Sequence, residues 1–304
     1  MDYINCTVLS RELARELGKK ENDSDLEFYH RAYNEKALTF ICPPGFPEKV
    51  GPLLQALHLS NCVVLYVDKI DAVLGEVILA IDASEIKQGF VAFDPLVDEE
   101  LFRKISENTC VKGFERIEKD EILEKVSSIK PVKVGGDTII DLDAMFDVKS
   151  VGTVALGFVA QGLVEQFQKI KAFPKNAEVL VKSIQKQDKV FKQAEFNERV
   201  GLALKGIDAE GFSRGMVLTS DGSFTGLTEF EIIFEKNSYC KKELKVGLSL
   251  HIQCRLQTVG CKIESLEPLK IVTGKSIAAR PDEKIILIDI NANPRIIGRG
   301  KIIK

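Results

Sequence analysis

Tryptophan is absent from the 304 residues and histidine occurs only three times, which leaves few options for histidine-based acid–base catalysis. No CxxC pair occurs among the seven cysteines, Cys6, Cys42, Cys62, Cys110, Cys240, Cys254 and Cys261, so zinc-site spacing is missing. The odd, scattered number argues against a disulfide framework. Most of these thiols sit inside apolar runs such as NCVVLYV and HIQCRL, where cysteine behaves as a small hydrophobe. Reduced thiols and a cytoplasmic location are therefore expected. No run of eighteen apolar residues exists, so no membrane-spanning helix is expected. The opening MDYINCTVLSRELARELGKK has no basic region followed by an apolar stretch, so no secretion signal is read there. An excess of positive charge is also lacking: 42 Lys and Arg stand against 45 Asp and Glu, a net charge of −3. That balance excludes a globally basic nucleic-acid binder but leaves room for a local basic face.

What is present is a globular composition, 45% hydrophobic and 29% charged, in a chain long enough for two or three domains. The first 130 residues alternate strand and helix signals. RELARELGKK places Leu13 and Leu17 at helical spacing, with Gly18 as the stop and lysines complementing the C-terminal dipole. ALTFICPP reads as a strand and PEKVGPLLQALHLS as a helix. NCVVLYVD and KQGFVAFD are continuous apolar runs, the pattern of strands buried on both faces, and AVLGEVILAIDAS and EELFRKISENT are helical. Strand and helix in alternation at this pitch predict a parallel sheet built of βαβ units. From Ile139 onward short alternating strands separated by glycine turns predict β-barrels, with a fresh start at DGSFTG. In LSLHIQCRL the apolar Leu248, Leu250, Ile252, Cys254 and Leu256 share one face. Ser249, His251, Gln253 and Arg255 share the other, so His251 is expected at solvent or a domain interface.

Two features imitate functional motifs. TGKSI, Thr273 to Ile277, contains the Gly-Lys-Ser of a phosphate-binding loop, but Leu269 stands at the leading glycine position and the segment lies among barrel strands. A loop that wraps phosphate needs a run of free backbone N–H groups between a strand and a helix, so TGKSI is read as a turn. Asp137, Asp141, Asp143 and Asp147 have no EF-hand spacing and are read as a solvated linker.

YINCTVLS, SDLEFYHRAYNEKALTFICPPGFPEKV and HLSNCVVLYVDKIDAVLGEVILAIDASEIKQGFVAFD resemble, in that order, the G-domain strands of translational GTPases of the EF-Tu/SelB type. FDVKSVGTVALGFVAQG, VKSIQKQD and RVGLALKGIDAEGFSRGMVL resemble the family's second domain, and IIGRGKIIK its final barrel strand. The archaeal SelB-like elongation factors are the nearest likeness. The resemblance implies an α/β fold: a truncated P-loop-GTPase-like parallel sheet in residues 1–130, a barrel in 131–220 and a second barrel in 221–304.

Carried over residue by residue, the catalytic parts of that family are missing. Val8 to Leu13 stand where the phosphate loop belongs, without its glycines or its lysine. In the switch-II motif D-T-P-G-H the aspartate falls on Cys42 and the histidine on Phe46, while Pro44 and Gly45 survive, keeping the bend by fixing φ and by allowing close backbone approach. The guanine-reading N-K-x-D falls near Asp94, Pro95, Leu96 and Val97, with Asp98 fitting only after a one-residue shift. These parts contribute separately to phosphate, metal, water and base recognition, so no nucleotide cofactor is expected and no catalytic or metal-binding residue is assigned. The resemblance implies aminoacyl-tRNA, the ribosome or both as partners, and neither membrane nor DNA. It directs attention to Phe158 and to Lys182, Lys186, Lys189, Lys192 and Arg199 as a phosphate-contacting edge, diluted by Asp188, Glu195 and Glu198. The alternative is an active GTP- and Mg²⁺-dependent factor for a specialised aminoacyl-tRNA, such as pyrrolysyl-tRNA.

Overall fold

A computed structural model describes residues 2–187 and 189–303; Asp188 lies outside them. The chain forms two compact units. One runs through Pro131 and includes Lys236–Lys242 and Ile288–Arg299; the other comprises Val132–Glu235, Glu243–Leu287 and the residues from Gly300 on.

The first unit carries β1 (Asp2–Val8), α1 (Arg11–Leu17), β2 (Lys19–Lys20), β3 (Glu27–Tyr33), β4 (Lys36–Cys42), α2 (Val50–His58), β5 (Cys62–Val67), α3 (Ala72–Ala83), β6 (Gly89–Phe93), α4 (Glu99–Ser106), β7 (Glu115–Arg116) and α5 (Ile122–Ser128). Its sheet has the order β2-β3-β4-β1-β5-β6-β7. Strands β4, β1, β5, β6 and β7 run parallel, while β3 and β2 add an antiparallel edge. The apolar runs read as doubly buried strands are so: Val63, Val64, Leu65 and Val67 are all within 1% of full burial. Helix starts are set by local chemistry. The Ser10, Asp71 and Asp98 side chains each accept a backbone N–H at the N-terminus of α1, α3 and α4, satisfying donors that a helix leaves open. Gly18 ends α1 as expected, but Lys19 and Lys20 continue into β2 instead of lying along the helix end.

In the second unit β8 (Ile139–Val148), β9 (Gly152–Gln161), β10 (Leu163–Glu165), β11 (Lys169–Phe173), β12 (Ala177–Lys186), β13 (Lys189–Phe191), β14 (Gln193–Glu195), β15 (Arg199–Lys205) and β16 (Val217–Thr219) form the first barrel. Pairing of β11 with β12 closes the ring β11-β16-β8-β9-β15-β12, with β13 attached and β10-β14 as a separate ribbon. Strands β17 (Thr225–Lys236), β18 (Ser249–Cys254), β19 (Gln257–Leu266), β20 (Leu269–Ala279), β21 (Lys284–Ile288) and β22 (Ile296–Ile302) form a second closed barrel, ordered β17-β20-β19-β18-β21-β22. The fold is thus an α/β parallel-sheet domain followed by two closed six-stranded barrels.

Three local expectations are corrected. Thr273 to Ile277 do not form a turn; they lie within β20, where the register against β17 jumps between Leu227 and Glu229, so the segment bulges. Asp141 and Asp143 are not solvated, being 0% and 8% exposed on β8. Asp141 takes both its oxygens to Arg255, from Nε at 2.7 Å and Nη2 at 2.9 Å, and Arg255 also donates to Glu283 at 2.9 Å. The stretch LSLHIQCRL is not one strand. Arg255 and Leu256 form the tight turn between β18 and β19, with Arg255 at φ 51°, and this turn aims the guanidinium at Asp141. Gln253 and Arg255 on the predicted polar face are accordingly buried, and His251 is half-buried.

Candidate functional site: the crevice at the carboxyl edge of the parallel sheet

In open α/β sheets ligands bind beyond the carboxyl ends of the strands, where neighbouring strands connect in opposite directions. Here that place lies beyond β1, between β4 and β5. Only Leu9 and Ser10 separate β1 from α1, and Ser10 is spent as the helix cap, accepting from Leu13 N at 3.2 Å. A two-residue link has no run of free N–H groups with which to wrap a phosphate.

The crevice is filled from within. Glu27, the first residue of β3, pairs in register with Cys42 at the carboxyl end of β4, and its side chain is wholly buried. Arg11 reaches it from the start of α1, with Nε to Oε2 at 3.1 Å and Nη2 to Oε1 at 2.8 Å. Lys20 Nζ donates to Oε1 at 2.8 Å and the Tyr29 hydroxyl to Oε2 at 2.7 Å. Burial alone would push the Glu27 carboxyl up, but the hydrogen bonds from Lys20, Arg11 and Tyr29 outweigh it and hold the group down at about 2. The cationic side chains at the phosphate end of the crevice therefore already have an anion, supplied by the protein itself.

The switch-like corner shows the same substitution of packing for chemistry. Cys42 is fully buried, its thiol pushed up to about 12 by burial and then by the Glu27 charge, which favours the protonated form. The bend is closed by Phe46 N to Pro43 O at 3.0 Å and Lys49 N to Gly45 O at 2.8 Å. Gly45 is not sterically required: a Cβ there would meet nothing nearer than Pro52 Cγ at 3.4 Å, and its φ is not positive. This corrects the expectation of close backbone approach. Arg295 anchors the corner, donating Nη2 to Pro47 O at 2.8 Å and Nη1 to Glu48 O at 3.2 Å, with its guanidinium 5.9 Å from the Phe46 ring centre. The same side chain pairs with Glu76 of α3 through Nε at 2.9 Å. Where guanine reading would stand, Asp98 caps α4 and Asp94 accepts from Leu96 N, while the Leu96 side chain is exposed. Among the described residues no group of three His, Cys, Asp or Glu side chains is placed to hold a metal.

On the first barrel, the residues singled out from sequence divide into two sets. Phe158 is 2% exposed, with the Arg199 guanidinium 5.8 Å from its ring centre. Arg199 pairs with Asp143 at 3.2 Å, and Lys186 pairs with Glu198 at 2.7 Å while its ammonium lies 4.1 Å from the Phe191 ring centre. Lys182, Lys189 and Lys192 are exposed. Hydrogen bonds tie Lys182 and Lys192 into one edge: Gln166 N donates to Lys192 O at 2.8 Å, Gln166 Nε2 to Lys182 O at 3.0 Å, and Lys182 Nζ to Val151 O at 2.9 Å, while Lys189 stands opposite Lys186 in the β12–β13 register. On this edge Phe167 and Val190 are each 67% exposed and Phe191 38%. Sequence reading missed these three. The signal was the interleaving of aromatic and basic residues in EQFQKIK and KVFKQ.

This architecture is that of the SelB translation elongation factors. The chain superposes over its full length on 80% of the SelB from Methanococcus maripaludis, solved with the GTP analogue GppNHp, at a TM-score of 0.85 and 19% identity. It is 27% identical to the selenocysteine-specific elongation factor of Methanocaldococcus jannaschii, over 95% of this chain and 72% of that one. It is 34% identical to the uncharacterized protein MJ0325 of the same organism, over 95% of this chain and 96% of that one. The chain belongs to one family with that uncharacterized protein. No protein-family model matches it. Among the described residues no helix is long and apolar enough to cross a membrane.

Proposed function

We propose that this protein is a SelB-like factor of the cytoplasm that binds aminoacyl-tRNA, the ribosome or both without hydrolysing GTP. The observation that carries the reading is the buried Glu27 carboxylate, held by Arg11, Lys20 and Tyr29 at the place where a G domain of this fold receives phosphate. A triphosphate entering there would have to displace a carboxylate that already satisfies both cations, and would find neither a phosphate-wrapping loop nor a magnesium ligand. The factor keeps the scaffold and holds one arrangement of its corner through Arg295, so that binding does not depend on a nucleotide cycle. No metal or nucleotide cofactor enters this reading. The edge bearing Lys182, Lys189, Lys192, Phe167 and Phe191 offers the RNA ammonium groups for phosphates and aromatic faces for unpaired bases.

Filter binding with total aminoacylated tRNA, with and without GTP, tests the reading. Retention at low salt that weakens as salt rises and is indifferent to GTP is the expected result. Absence of retention at low salt for both tRNA and ribosomes would refute it, and retention that requires GTP would favour the active factor instead.

A further inference from the structure

A hollow of about 800 Å³ lies on the outer face of the first barrel. It is built by β11, the start of β12, the end of β15 and the segment from Thr219 to Gly226 that leads into β17. Strand alternation puts Lys169 and Lys171 on the same outward face. Register then sets Lys169 opposite Leu180 and Leu180 opposite Lys205, so two ammonium groups flank Leu180 and a third stands beside them. All three lysines are exposed, and among the described residues none of them is ion-paired. Phe173 and Phe224 close the apolar floor, their ring centres 6.3 Å apart. One acid in the wall, Asp221, is already paired with Arg280 at 2.6 Å, leaving Glu178 as the remaining acidic group against three lysines.

A mostly apolar hollow of this size with a few convergent polar groups is the usual form of a small-ligand site. The ring of lysines selects for an anion of more than one charge, and the apolar floor for a flat or apolar body attached to it. We infer that this hollow binds a nucleoside phosphate, its phosphate among Lys169, Lys171 and Lys205 and its base over the Phe173 and Phe224 floor. The ligand is either a free nucleotide or the phosphorylated end of an RNA strand, since both present the same group. The site is independent of the sheet crevice, because every residue that forms it belongs to the second unit.

Isothermal titration of the full chain with AMP, with inorganic phosphate and with a 5′-phosphorylated tetranucleotide RNA tests the inference, alongside the K169E/K205E variant. AMP or the tetranucleotide should bind more tightly than phosphate alone, with affinity lowered at least tenfold in the variant and lowered by added salt. Binding of AMP but not RNA identifies a free nucleotide as the ligand, and binding of RNA alone identifies a strand end; either supports the site. Both lysines are exposed, so the variant is expected to fold, and K169A/K205A serves as a milder second variant, with a threefold or greater loss expected. Absence of binding at millimolar ligand, or binding unchanged in both variants, overturns the inference.

Discussion

Replacing Glu27 by glutamine removes the charge at the centre of the crevice while keeping the shape and one acceptor oxygen. The carboxyl is held at about 2 against an ordinary value of 4.5, a difference that corresponds to about 3 kcal/mol. Arg11 and Lys20 are 49% and 32% exposed, so water takes over part of their solvation when the carboxylate is lost. The cost should therefore fall below the 3–5 kcal/mol typical of breaking a fully buried pair, at about 2 kcal/mol. For a unit of this size that lowers the melting temperature by roughly 4–8 °C. The pH dependence has a definite sign. A carboxylate with a depressed pKa contributes its stability above the unfolded-state value and loses it as pH falls towards the folded one. The deficit of Glu27→Gln relative to the parent should thus be full at pH 6–7 and shrink between pH 4.5 and about 2. Denaturant unfolding at pH 7, 5, 4 and 3 reads both quantities. A variant as stable as the parent at pH 7, or a deficit that does not change with pH, would refute the role given to Glu27.

Other consequences follow from single residues. Arg255→Ala strands the wholly buried Asp141 carboxylate and should cost about 3–5 kcal/mol in denaturant unfolding of the second unit. Gly45→Ala should change stability by less than about 0.5 kcal/mol, since the added Cβ makes an ordinary contact with Pro52 at 3.4 Å; a loss above 2 kcal/mol would show a constraint on the corner that the geometry lacks. The pair Cys42→Asp and Phe46→His should yield no GTP hydrolysis in a phosphate-release assay, because the link between β1 and α1 would still hold no phosphate and Glu27 would still occupy the crevice.

The parallel sheet and both barrels were legible because their signals are periodic. Continuous apolar runs such as CVVLYV mark strands covered on two faces, and alternation marks barrel walls. The filled crevice was not legible for a different reason. A glutamate buried among cations has the same letter as one in water, and Arg11 and Lys20 lie 16 and 7 residues from Glu27 in sequence. One trace was present: Glu27 and Tyr29 are two apart on a strand, hence on one face, and a tyrosine hydroxyl beside a carboxylate is a natural hydrogen-bonded pair. Asp141 escaped in the same way, since its partner is 114 residues away and is aimed by a turn at Arg255 that interrupts an otherwise strand-like pattern. The basic edge was half legible. Charge was visible in sequence, but the spending of Lys186 and Arg199 on Glu198 and Asp143 depends on register between strands, which composition does not carry.

The scaffold is expected to bind its partner without a nucleotide cycle. Phosphate release from GTP with Mg²⁺, measured in the presence of charged tRNA and ribosomes while bound tRNA is counted on the same samples, tests it most directly. Salt-sensitive retention of tRNA or ribosomes with no GTP turnover above background is expected. Turnover stimulated by tRNA or ribosomes, and abolished by substitution at Arg11, would contradict it.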